Sequence, residues 1–174
     1  MSNQVPAWQG PILDNHFHLN RNGRYLDAAH DFKRAGGTNI VLIHCPDFAS
    51  PPTTKEGHRA AYQNTIAMAE SVRTELDLHV RVVLGPHPAA FAHQFIEWVE
   101  QDGAKGKNRA IENYRDSIDE AVKFYHEGKA HAIGEVGRPH WEVSKEIWDL
   151  SNDLLCETMR LAANDGFALQ LHVE

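Results

Sequence analysis

Five short apolar runs, at residues 11–13, 39–43, 79–84, 131–134 and 167–171, are separated by stretches with helical periodicity. This strand and helix rhythm limits the fold more than any other feature of the chain. Strands that alternate with helices pair in parallel through crossover connections, so the fold class is α/β, either a doubly wound sheet or a barrel. The helical stretches are individually clear. Tyr25, Ala28, Ala29, Phe32 and Ala35 share one face before a Gly36-Gly37 stop, and Tyr62, Thr65, Ala69, Val72 and Leu76 mark a second helix over about 57–75. Between these two helices, prolines 46, 51 and 52 make residues 45–56 a loop. A helix at 89–101, a polar loop holding Gly103, Gly106 and Asn108, and a helix from about Ile111 through Tyr125 fill the next interval. A last helix over 145–164, with Ile147, Leu150, Leu154 and Leu161 on one face, turns at Asp165-Gly166 into the fifth run.

In parallel α/β folds the ligand site lies beyond the carboxyl ends of the strands. After the five runs stand His16 and His18, then His44, His87, Glu135 and His172, so every exit carries an imidazole or a carboxylate. Neutral imidazole and carboxylate are good ligands for divalent ions, and their convergence points to a metal site. In the stretch Asp14-Asn15-His16-Phe17-His18, strand alternation puts Asp14, His16 and His18 on one face. His79 and His131 fall at strand beginnings, and His30, His58, His93 and His126 on helices or their starts; structural roles are expected for these six.

Composition removes several function classes. A formal net charge of −7 does not favour holding nucleic acid through a basic surface, although bound divalent ions offset charge locally. Cys45 and Cys156 are too few and too far apart for a disulfide framework or a paired-cysteine zinc motif, and are expected to be buried or incidental thiols. No stretch has the apolar length of a membrane span, and Met1-Ser2-Asn3-Gln4-Val5-Pro6 lacks the features of a signal peptide, so no membrane association and a cytoplasmic location are expected.

Four motifs in order, Asp14-Asn15-His16-Phe17-His18, Gly85-Pro86-His87-Pro88, Ala132-Ile133-Gly134-Glu135-Val136-Gly137 and Leu169-Gln170-Leu171-His172, resemble those of the TatD family of metal-dependent hydrolases in the amidohydrolase superfamily. The wording of the first motif suggests a divergent branch of archaeal type. The resemblance implies a TIM-type (β/α)8 barrel, of which residues 1–174 form a single domain holding about the first five strand-helix units. It implies two divalent ions (zinc, magnesium or manganese) that activate a water to attack a phosphodiester or a related ester or amide bond. His16 and His18 would bind one ion, His172 the second, and Glu135 both, as the catalytic carboxylate. A carboxylate has two oxygens and can span ions roughly 3.5 to 4 Å apart. Asp14 is expected to support a ligand or cap the chain, His87 to orient substrate or a ligand, and Arg138 and His140 to meet an anionic substrate. The implied partner is a small-molecule or phosphodiester substrate.

Members of the family also use a histidine after the sixth strand and an aspartate after the eighth, and neither position exists in this chain. A barrel of this type takes about 250 residues, which five units in 174 residues project to. The expectation is therefore a fragment of a longer enzyme, inactive alone. Two rivals remain: a phosphoesterase of the PHP type, and a non-catalytic metal-dependent binding or assembly subunit.

Overall fold

A computed structural model describes residues 8–172. The N-terminal hexapeptide read above for signal-peptide features, and the last two residues, lie outside the described residues. Five strands, β1 (Leu13–Phe17), β2 (Asn39–Ile43), β3 (His79–Leu84), β4 (Ala132–Gly137) and β5 (Leu169–His172), form one parallel sheet. Their spatial order is their sequence order. A doubly wound sheet reverses its order at a switch point, and this sheet does not, so the winding is that of a half-barrel of TIM type.

Helices α1 (Leu26–Arg34), α2 (Lys55–Leu76), α3 (Pro88–Asp102), α4 (Ala104–His126) and α5 (Lys145–Asp165) fill the intervals between strands. Alternation along the strands decides which residues they cover. Ile40 and Leu42 of β2, and Val80, Val82 and Leu84 of β3, are buried in the core shared with Tyr62, Val72, Phe95, Ile118 and Phe124 of the helices. Val41 and Arg81, of opposite parity, are more exposed, whereas Ile43 and Val83 of that parity, nearer the carboxyl ends, are buried. Helix boundaries follow local chemistry. Thr54 caps α2 by accepting from the Gly57 N–H at 3.1 Å, Ser144 caps α5 by accepting from the Ile147 N–H at 3.3 Å, and Gly166 ends α5 in the left-handed region.

Several boundaries differ from the sequence reading. Residues 104–110, expected to be a polar loop, form the first turns of α4, and Gly103 alone, at φ 56°, makes the turn from α3. Gly106 is a contact residue within that helix: a Cβ there would lie 1.8 Å from the Trp98 carbonyl oxygen of α3. The first, fourth and fifth strands also extend further than their apolar runs, so that His16, Glu135 and His172 lie within β1, β4 and β5. Polar side chains at the open end of a parallel sheet continue the hydrogen-bond ladder without continuing the hydrophobic pattern. Cys45 and Cys156 are both exposed and unpaired with each other, which leaves incidental as the applicable reading. Among the described residues no helix is long and apolar enough to cross a membrane.

Candidate metal centre

Glu135 is the middle of the site and is 2% exposed. It stands in β4 where the sheet is tightest. A Cβ on Gly134 would meet the Gln170 carbonyl oxygen at 2.5 Å, and one on Gly137, at φ 152°, would meet that of His172 at 1.9 Å. Only residues without side chains let β4 and β5 approach this closely. The approach presents His172 to the carboxylate, with its Nδ1 2.9 Å from Glu135 Oε1.

β1 supplies two imidazoles through an irregularity. Its pairing with β2 shifts between Asp14 and Phe17, so Asn15 and His16 occupy a stretch where regular register would hold one residue. Asp14 and Phe17 pair beside Ile40 and Leu42, and the expected common face of Asp14, His16 and His18 does not form. The Asp14 carboxylate instead accepts from the His16 backbone N–H at 2.9 Å and holds the bulge. His16 Nε2 and His18 Nε2 then lie 3.1 Å apart, and 3.5 and 3.7 Å from Glu135 Oε2. His18 Nδ1 donates to the Ile43 carbonyl at 3.1 Å, which leaves its Nε2 lone pair directed into the cluster.

His87 comes from the start of α3. Its Nδ1 accepts from the Ala89 N–H at 3.1 Å, ahead of Pro88 in the first helical turn. The neutral ring therefore carries its proton on Nε2, which faces Glu135 Oε2 at 3.6 Å. Burial pushes this imidazole down to about 4, against the opposing pull of Glu135. His140 Nδ1 lies 3.1 Å from His172 Nε2 and so touches the cluster from the loop after β4. Arg138 donates its backbone N–H to the His172 carbonyl at 2.9 Å, and its guanidinium lies 4.8 Å over the Trp148 ring.

Two groups of neighbouring donor side chains result, His16, His18 and Glu135 in one, and His87, Glu135 and His172 in the other, and Glu135 belongs to both; in the second, His87 would have to give up its Nε2 proton to ligate. The donors fit a divalent cation. The described ion-pair partners of the buried carboxylate are all imidazoles, with no lysine or arginine among them. A buried carboxylate requires a compensating charge, which neutral imidazoles do not provide. The 3.1 Å between His16 Nε2 and His18 Nε2 is also close to the spacing of two nitrogens on one tetrahedral zinc, about 3.3 Å for Zn–N bonds near 2.0 Å.

His44, the remaining histidine at a strand exit, belongs to neither group. It is buried, its Nδ1 is 2.8 Å from the Thr65 hydroxyl, and desolvation lowers it to about 3. His58 is likewise buried, with its Nε2 3.0 Å from Asn113 Oδ1. Two residues near the site escaped the sequence reading. Phe48, half exposed in the loop after β2, packs edge-on to His87 at 5.4 Å and lines a groove of about 560 Å3 between the loops after β1 and β2. Gln170 reaches from β5 to β1, and its position two residues before His172 was the available signal.

The chain is 29% identical over 167 residues to an uncharacterized protein of Methanocaldococcus jannaschii, an alignment covering 94% of this chain and 55% of that protein. The chain thus spans about half the length of that curated relative. No solved structure matches it. The family model described as TatD related DNase matches residues 13–174, which takes in all five strands and every histidine and carboxylate of the cluster, and the chain belongs to that family.

Proposed function

We propose that the protein is a metal-dependent hydrolase using two divalent ions, with a phosphodiester or a related ester or amide as substrate. The observation that carries this reading is the double membership of Glu135, a buried carboxylate shared by two separate groups of possible ligands. His16 and His18 would hold one ion with Glu135, and His172 the other. When bound, such ions supply Lewis acidity and make water a better nucleophile near neutral pH. The protein's own residues do the rest. Glu135 keeps the two positions in register because its two oxygens are directed at different imidazoles, Oε1 at His172 and Oε2 at His16 and His18. His87 stays neutral and presents an Nε2–H, suited to steady the carboxylate or to donate to a substrate oxygen. Arg138 and His140 stand just beyond β4, where an anionic substrate would be met.

With a net charge of −7, long-range attraction of a polyanion is not expected. Recognition would therefore come from contacts at the site, and the groove beside Phe48 provides room for the substrate's non-reacting part. The reading is tested by the ion content of the native and Glu135→Gln proteins. The native protein should hold two ions. The variant should lose affinity for both by more than about 100-fold, beyond the cost of removing a residue that only supports a ligand. A variant that keeps both ions at native affinity would remove Glu135 from the site.

A further inference from the structure

Gln170 extends its amide across the mouth of the half-barrel, from the last strand to the first. Its Nε2 is 3.3 Å from the Asn15 carbonyl oxygen and 3.4 Å from His16 Nδ1. A carbonyl oxygen can only accept, so Asn15 fixes which end of the amide faces β1. The second hydrogen of the same nitrogen then points at His16 Nδ1, which must be the unprotonated nitrogen of a neutral ring. The ring proton of His16 is thereby placed on Nε2, 3.1 Å from His18 Nε2. That atom is free to accept, because His18 donates its own proton from Nδ1 to the Ile43 carbonyl. One chain of hydrogen bonds runs from Gln170 through His16 and His18 to β2, and every donor in it meets an acceptor.

We propose that Gln170 is a positioning residue that sets the tautomer of His16, and through it whether His16 Nε2 offers a proton or a lone pair. The inference deepens the metal-site reading and rests on it where ion binding is concerned. A histidine ligand needs its coordinating nitrogen unprotonated and its other nitrogen donating to an acceptor. For His16 to ligate through Nε2 its proton must move to Nδ1, where it would face the Gln170 N–H that the Asn15 carbonyl holds in place. Gln170 thus opposes loading of His16, and an acceptor at this position would support it. Gly134 makes the contact possible, since a Cβ there would come within 2.7 Å of Gln170 Cβ.

The test is ¹⁵N NMR of the His16 and His18 rings in the ion-free protein at mildly alkaline pH, with Gln170→Met and Gln170→Glu beside the native chain. In the native protein the His16 proton should reside on Nε2. Gln170→Met removes the donor to Nδ1 and should shift His16 toward a tautomer mixture while His18 stays protonated on Nδ1. Gln170→Glu, which offers only acceptors, should move the His16 proton to Nδ1 and raise zinc affinity at least about tenfold, the lower end of what supporting partners contribute. A role confined to packing would leave the tautomers unchanged, and unchanged His16 signals in both variants would overturn the proposal. A native His16 protonated on Nδ1 would overturn it equally. If the tautomers move as stated but no form of the protein takes up zinc, the positioning role stands and the metal reading falls.

Discussion

His44 and His87 lie at neighbouring strand exits, His44 buried and His87 partly so, and they differ in what acidification asks of them. His87 has Glu135 beside it, which opposes the effect of burial. His44 packs against the Thr65 hydroxyl and the edge of Tyr62, and burial lowers it, with charge repulsion from His58, His18 and His87 adding to the effect. Its folded value, about 3, is below the ordinary 6.5, so the unfolded chain takes up the proton first. Stability from this residue is therefore complete above about 6.5 and is lost as the pH falls from there toward about 3. The slope from one such group is up to about 1.4 kcal/mol per pH unit. Urea unfolding at pH 7 and pH 5 should show the native chain losing more stability than His44→Gln does over the same interval. Equal losses would mean that His44 is not held neutral by the fold. The sequence placed His44 correctly at a strand exit, but a histidine's neighbours several turns away, here Thr65 on α2, decide whether it faces the cluster or the core.

At the scale of elements, the junction of α3 and α4 shows how residue preference and packing part company. Glycine inside a helix is ordinarily a weakness, and alanine there should stabilise by about 1 kcal/mol. At Gly106 the expected sign is reversed. The new methyl would sit 1.8 Å from the Trp98 carbonyl oxygen, a backbone atom that cannot move aside without displacing α3. Gly106→Ala should lower stability by about 1–3 kcal/mol, the usual cost of overpacking, as read from denaturant midpoints. A variant of native or higher stability would show that the two helices do not meet at this point. The same residue explains why the loop expected at 103–108 is mostly helix. Gly103, Gly106 and Asn108 look alike as helix breakers, but only Gly103 adopts a conformation that ends a helix. Nothing within a few residues of Gly106 distinguishes a turn from a close helix crossing.

For the whole molecule, the curvature of the sheet matters most. β1 and β5 are opposite ends of the strand order, yet the Gln170 amide touches Asn15 and His16, and Glu135 reaches imidazoles of both strands. Ions held there would link strands that have no ladder between them and would stabilise the folded state alone. At a free ion concentration one hundred times the dissociation constant, the gain is roughly 2.7 kcal/mol, or about 5–10 °C for a chain of this size. Melting curves with zinc or manganese and with a chelator should differ by that amount, and identical curves would argue against an ion joining these strands. Glu135→Gln should melt at the same temperature in both conditions.

The periodicity of side chains settled the strand and helix alternation, the parallel sheet, and the residue types at each strand exit, because these depend on neighbours a few positions apart. The ordered motifs carried the family in the same local way. Sequence left open the choice between reversed and sequential strand order until resemblance was invoked, and it misjudged the common face of Asp14 and His16. Only the tertiary structure decided that a bulge turns His16 toward His18, that Gly134 and Gly137 let β5 close on Glu135, and that Gln170 reaches His16. These contacts join residues 37 and 154 positions apart in the chain, or depend on an irregular register between two strands. They arise from how strands are spaced and curved, which no local pattern of side chains encodes.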